Sequence, residues 1–285
     1  MRAVVLDTAG QPGLAEVPEP SGPGTPVRVL ACGLCGSDVE KIGSAPAGTV
    51  LGHEVVGELE DGRRVALVHH IPCGECERCR AGHASTCERF REPTIVPGGF
   101  AEHVRARETI ELPQGLDDAA ATVVEPLACV LRGAERVPRG RVLVVGCGFV
   151  GWLFAQVLLQ RGDDVSAVDP RPDRLMLSGL RPPDAPVAAA VLCAPAGADE
   201  ALGHLEPGGS VLAFASPGAL DLDLVYRNEL AVSGSRSATP EHMRQALALL
   251  PHLELPPLDV LPLERFREGL ERYVRGDALK VVFTP

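Results

Sequence analysis

The chain has 285 residues, 45% of them hydrophobic and 4% aromatic, with a formal net charge of −11. Such a length holds one large domain or two ordinary ones. The acidity argues against a general nucleic-acid partner, which needs a basic surface, and no stretch reaches about 18 apolar residues, the length of a membrane span. The N-terminal MRAVVLDTAGQPG has no apolar signal region. The expected location is the cytoplasm. Structural disulfides are rare there, and nine cysteines, an odd number, fit a disulfide framework poorly.

Residues 1 to about 127 read as a β-rich domain carrying loops. Ala3–Leu6 and Val27–Leu30 are β-prone runs bounded by Gly and Pro. Val55–Leu59 and Arg64–Val68 flank Asp61-Gly62, a strong turn signal. The texture changes near Glu125. Arg141–Val145 reads as a buried strand, followed by the helix-prone WLFAQVLLQ and a second strand, Asp164–Asp169. The proline-rich stretch from Arg171 to Pro186 reads as poorly helical. Val187–Leu192 and Ser210–Ala215 read as strands with the helix-prone ADEALGHL between them. Strands alternating with helices predict a parallel sheet covered on both faces. Leu263–Tyr273 reads as an amphipathic helix and Lys280–Phe283 as a last strand.

Cys73, Cys76, Cys79 and Cys87 have the spacing C-x2-C-x2-C-x7-C. Short intervals let the backbone turn sulfurs toward one point, as tetrahedral zinc requires, and four thiolates close the sphere, so such a site is structural. An iron–sulfur cluster competes, because C-x2-C-x2-C also opens ferredoxin-type runs; those continue with x3-C-P, whereas here the interval is x7 without proline. Unmetallated thiols are the third possibility. His83, inside the loop, reads as a solvated loop residue.

Two other segments, Gly33-Leu34-Cys35-Gly36-Ser37-Asp38 and Gly52-His53-Glu54, supply a thiolate, an imidazole and a carboxylate. Three protein ligands plus water is the pattern of catalytic zinc, in which one position stays open. Val145 is followed by Gly146-Cys147-Gly148-Phe149-Val150-Gly151, a G-x-G-x-x-G run between a strand and a helix, the context a dinucleotide fingerprint requires. Its glycines serve the turn, the close approach of the pyrophosphate and the helix–strand packing. Asp169 lies 18 residues after Gly151, where a carboxylate accepts both ribose hydroxyls and repels a 2′-phosphate. That favours NAD over NADP, although Arg171 stands close by.

GLCGSD, GHE, the four-cysteine loop, Glu125-Pro126-Leu127-Ala128 and the nucleotide fingerprint come in the order found in zinc-dependent medium-chain dehydrogenases. The chain resembles that family from end to end, and its polyol (sorbitol) and threonine dehydrogenase branch most closely. The resemblance implies an α/β architecture, with a GroES-like catalytic domain (residues 1–127 and 237–285) and a Rossmann domain (residues 128–236). It implies two zinc ions per chain, one structural and one catalytic. Cys35 and His53 would neighbour the catalytic zinc, with Glu54 and Glu125 as alternative carboxylates and Asp38 orienting His53. D-x4-R-L, here Asp169 to Leu175, is similar to NAD-linked members, which places Arg174 against the adenine.

Two departures stand out. The family's proton relay runs from a hydroxyl matching Ser37 to a histidine whose position is Glu40 here, so Glu40 ends the relay or is a surface residue. The usual helix, strand and helix between Arg174 and Val187 are missing, which predicts about five Rossmann strands where six are usual. Cys32, Cys129, Cys147 and Cys193 read as small core residues, and strand-end packing is the expectation for His69 and His70. The expected activity is hydride transfer between a secondary alcohol and NAD. The alternative is a dinucleotide-binding protein with structural zinc and no turnover. Family resemblance also suggests a homodimer or homotetramer through an edge strand near Leu230–Ser235, with no nucleic-acid or membrane partner.

Overall fold

A computed structural model describes residues 1–216 and 218–285. They form two compact units, one of Met1–Pro126 with Ala238–Pro285 and one of Leu127–Ser237.

The first unit is built on a curled, mostly antiparallel sheet of eight strands. Its central strand, Thr25–Gly33, pairs with Glu54–Glu58 on one side and Lys280–Thr284 on the other. Glu54–Glu58 continues to Arg64–Leu67 through the expected turn, where Gly62 takes φ +82° and Asp61 accepts from Arg63 N–H at 3.1 Å. A separate hairpin joins Arg2–Leu6 to Pro12–Glu16. Residues from far apart in the chain close the core: Phe100, Phe266 and Phe283 pack with ring centroids 4.7 to 5.6 Å apart. The predicted amphipathic helix appears as a 3-10 turn, Leu263–Arg265, leading into the helix Phe266–Arg275. It buries Phe266 and Gly269 against the last strand, and a Cβ at Gly269 would stand 2.6 Å from the Phe283 ring.

The second unit holds a five-stranded, all-parallel sheet. Arg141–Val145 is flanked by Asp164–Val168 and by Val187–Leu192, and the order continues with Leu205–Ala213 and Ala231–Gly234. The sheet therefore carries five strands, with Asp164–Val168 at one edge. The stretch from Arg171 to Pro186, expected from its prolines to be poorly helical, does hold one short helix. Pro172–Ser178 is helical, with Pro172 in the first turn, where its missing N–H removes no helical bond. Gly179 closes that helix in the left-handed region, at φ +68°. Within this unit Phe154 packs edge-on against Phe214 with centroids 4.8 Å apart. Among the described residues no helix is long and apolar enough to cross a membrane.

Phe283 is fully buried where three chain segments meet. Phe283→Ala should cost about 3–5 kcal/mol, measured as a shift in the denaturant unfolding of the first unit.

Candidate active site

Cys35 ends the loop after Thr25–Gly33 and precedes the short helix Gly36–Lys41. His53 and Glu54 stand at the start of the neighbouring strand. Pairing of the two strands sets Gly33 opposite Glu54 and so brings the two segments together. One donor atom each from Cys35, His53 and Glu54 lie within 4.8 Å of one another.

Asp38 holds this arrangement. Its carboxylate, 1% exposed, accepts from Cys35 N–H at 3.2 Å and from Gly52 N–H at 3.2 Å, and faces His53 Nδ1 at 3.2 Å. Burial alone would raise the Asp38 pKa, but the His53 charge, its hydrogen bond and the two backbone donors outweigh burial and lower it. Burial alone would lower His53, but Asp38 and Cys35 raise it well above 6.5 in the metal-free chain. With Nδ1 engaged by Asp38, Nε2 is the nitrogen left for a metal, and the carboxylate fixes which tautomer offers it. Thiol, imidazole and carboxylate are zinc donors, so the set fits the metal.

Glu54 makes a second buried pair. Its carboxylate meets the ammonium of Lys280, which also donates to Leu34 O at 3.1 Å; the two side chains are 1% and 2% exposed. Burial would lower the Lys280 pKa, but Glu54, then Cys35 and Tyr273, raise it, so it stays charged. Gly33 makes the approach possible, since a Cβ there would overlap the Glu54 carboxylate. Glu125 is buried in the first turn of the helix Val124–Ala134 and lies outside the Cys35, His53, Glu54 cluster. Ser37 places its hydroxyl 3.5 Å from Cys35 Sγ, and Glu40 is exposed on the same helix.

Sequence patterns did not reveal Lys280 as a partner of Glu54, or the role of His69 and His70 beside His53. A lysine inside the apolar run ALKVVF was the available signal for a buried partner. His69 stacks on His53 with ring centroids 4.5 Å apart and an interplanar angle of 30°. Burial first, then the charges of His53, His70 and Lys41, push its pKa well below 6.5.

The four loop sulfurs also converge within 4.8 Å, none in a disulfide. Cys73 and Cys79 Sγ are 3.9 Å apart, close to the edge of about 3.8 Å that four Zn–S bonds of about 2.3 Å give a tetrahedron. Backbone N–H groups aim at the sulfurs: Cys76 at Cys73, Cys79 at Cys76, and Cys73 and Arg89 at Cys87, at 3.3 to 3.4 Å. Such donors, with Glu88 first, bring Cys76 down to about 6, whereas burial pushes Cys79 up to about 12. Four sulfurs this close ionise together only around a cation. Of the other cysteines, burial pushes Cys32 and Cys193 up, and Cys147 to about 11, leaving inert thiols.

In the second unit the glycine loop follows the strand Arg141–Val145. Gly146 takes φ +95°, and a Cβ at Gly151 would overlap the Gly146 carbonyl, so helix and strand touch as the fingerprint requires. Gly148 caps the helix Phe149–Gln160, in which Phe149, Val150 and Gly151 form the first turn. Asp169 accepts from Cys147 N–H at 2.7 Å and from Arg171 N–H at 2.8 Å, which seats its carboxylate beside the loop. Arg174 lies on the helix Pro172–Ser178.

Residues 24–114 match the alcohol dehydrogenase GroES-like domain family. L-galactonate-5-dehydrogenase of Escherichia coli (strain K12) is 31% identical over 56% of this chain and 52% of its own length, so the match spans about half of that relative. Sorbitol dehydrogenase of Halalkalibacterium halodurans is 28% identical over 100% of this chain and 99% of its own. The solved structure of alcohol dehydrogenase TADH from Thermus sp. ATN1 superposes with a TM-score of 0.84 at 27% identity, covering 100% of both chains. The structure thus combines a GroES-like sheet, a Rossmann-like parallel sheet and two clusters of zinc-type donors. The chain is similar to proteins of the zinc-dependent medium-chain alcohol and polyol dehydrogenase family.

In the metal-free protein the Asp38–His53 pair stabilises the fold fully between the unshifted values of 3.8 and 6.5. The His53 part is lost as pH rises through its raised pKa, and the Asp38 part as pH falls through its lowered one. Thermal melts of the metal-free chain should therefore show an alkaline loss of stability that Asp38→Asn flattens.

Proposed function

We propose that this protein is a zinc-dependent oxidoreductase that transfers hydride between a secondary alcohol and NAD. The alcohol would be a polyol, sugar alcohol or amino alcohol. The convergence of Cys35, His53 and Glu54 within 4.8 Å carries the proposal, since the same chain has a glycine loop on a parallel sheet. The relatives named as galactonate and sorbitol dehydrogenases support the substrate class.

In this account Cys35 and His53 hold the catalytic zinc and the four-cysteine loop a second, structural one. Residues 1–127 with 237–285 make the catalytic domain and residues 128–236 the nucleotide domain. Zinc supplies Lewis acidity that lowers the pKa of an alcohol, and NAD supplies the hydride acceptor. Asp38 keeps the His53 ring oriented, and Lys280 holds the Glu54 carboxylate, leaving a position open for substrate. Ser37 Oγ, beside Cys35, takes the hydroxyl proton, and Glu40 on the same helix is the carboxylate available to receive it. Gly146, Gly148 and Gly151 admit the pyrophosphate to the helix N-terminus, where Phe149 and Val150 lie. Asp169 selects NAD by accepting ribose hydroxyls and repelling a 2′-phosphate, while Arg174 lies against the adenine.

The outermost strand Ala231–Gly234 exposes Val232, and the helix Leu222–Arg227 before it exposes Leu222 and Tyr226. An open strand edge flanked by apolar side chains suits pairing with a second copy of the chain. A homodimer or homotetramer is the expected unit.

Zinc-loaded protein given NAD and a panel of polyols, sugar alcohols, simple alcohols and threonine should form NADH, read by its absorbance. Cys35→Ser should lower that rate at least about 100-fold, as loss of a charge-stabilising group does. Zinc in the loop without zinc at Cys35, and silence across the panel, would favour a binding protein without turnover. A clear preference for NADP would overturn the role given to Asp169.

A further inference from the structure

We propose that the four-cysteine loop sets the orientation of the His53 ring through a stack of four rings, making Phe90 and His70 positioning residues for the Cys35–His53 site. The inference rests on the assignment of Cys35 and His53 as zinc ligands.

The rings come from three segments of the first unit. His53 faces His69 at 4.5 Å and 30°. His69 meets His70 at 4.0 Å and 44°. His70 faces Phe90 at 4.2 Å and 21°. The far end of the stack is tied to the loop, because Phe90 N–H donates to Cys87 O at 2.9 Å and Arg89 N–H to Cys87 Sγ at 3.3 Å. The middle is pinned where Thr94 Oγ1 donates to His69 O at 2.6 Å.

A single hydrogen bond fixes one point of an imidazole and leaves its plane free to tilt about that bond. Asp38 supplies the one point, at Nδ1. The face of His69 supplies the plane, and His69 is in turn backed by His70 and Phe90. Stacked rings resist tilting because offset contact is lost as the planes diverge. A zinc ion needs the imidazole nitrogen aimed along the bond, so the tilt of His53 bears on how tightly the metal is held. The loop that reads as a local staple thereby reaches the site of chemistry.

The test is zinc release to a chelator from fully loaded protein, followed in time. Cys35→Ser identifies the phase belonging to the Cys35–His53 site, and the remaining phase belongs to the loop. Phe90→Ala and His70→Leu should each speed the first phase roughly tenfold, the scale for groups that orient metal ligands. Phe90→Tyr, which keeps the ring, should release zinc at the wild-type rate. If Phe90→Ala also speeds the loop phase, His70→Leu decides, since it removes a ring one step further from the sulfurs. An unchanged first phase in His70→Leu overturns the inference. Metal release is read without turnover, so a silent dehydrogenase assay beside accelerated release would overturn the enzymatic proposal and leave this one standing.

Discussion

A buried carboxylate organises the first unit's chemistry. Asp38 reaches two stretches of chain, accepting from Cys35 N–H on one side and from Gly52 N–H on the other, with His53 Nδ1 as its third partner. Hydrogen bonds to a charged group contribute about 1.5–3 kcal/mol each. An unpaired carboxylate at that depth would instead cost several kcal/mol. The three contacts therefore decide whether the loop and the strand start form together, and their joining sets thiol and imidazole side by side.

The second buried charge depends on the end of the chain. Lys280 stands on the last strand, which pairs with Thr25–Gly33 next to Gly33, and its ammonium meets Glu54. That strand stays in place through the Phe100, Phe266 and Phe283 cluster, so an apolar cluster formed by distant segments governs the setting of a polar site. Removing one partner of such a pair leaves a buried charge uncompensated, at roughly 3–5 kcal/mol. Glu54 is thus held by an ammonium, while Cys35 and His53 face one another. Glu125, the alternative carboxylate, stands in the first turn of the helix Val124–Ala134 and is not one of the three clustered donors.

Much of this was legible in the sequence. The strands at Ala3–Leu6, Val27–Leu30, Val55–Leu59 and Arg64–Val68 were readable because β-branched runs sit between turn residues, and each has a counterpart within a few residues. Alternating strands and helices after Arg141 foretold the parallel sheet, and the short interval before Val187 its five strands. The cysteine spacing and the Cys35 and His53 motifs were visible because metal and turn chemistry are written locally. The helix Pro172–Ser178 was not, because proline counts say little when the residue sits in a first turn. The Lys280–Glu54 pair and the ring stack were also hidden. Both join residues that only tertiary packing brings together, and neither follows any periodicity.

Anomalous X-ray scattering at the zinc absorption edge, from crystals of the zinc-loaded protein, would locate the metal at both donor clusters. The account predicts two peaks per chain, one enclosed by Cys73, Cys76, Cys79 and Cys87 and one against Cys35 Sγ and His53. A peak in the loop with none beside Cys35 and His53 would contradict it.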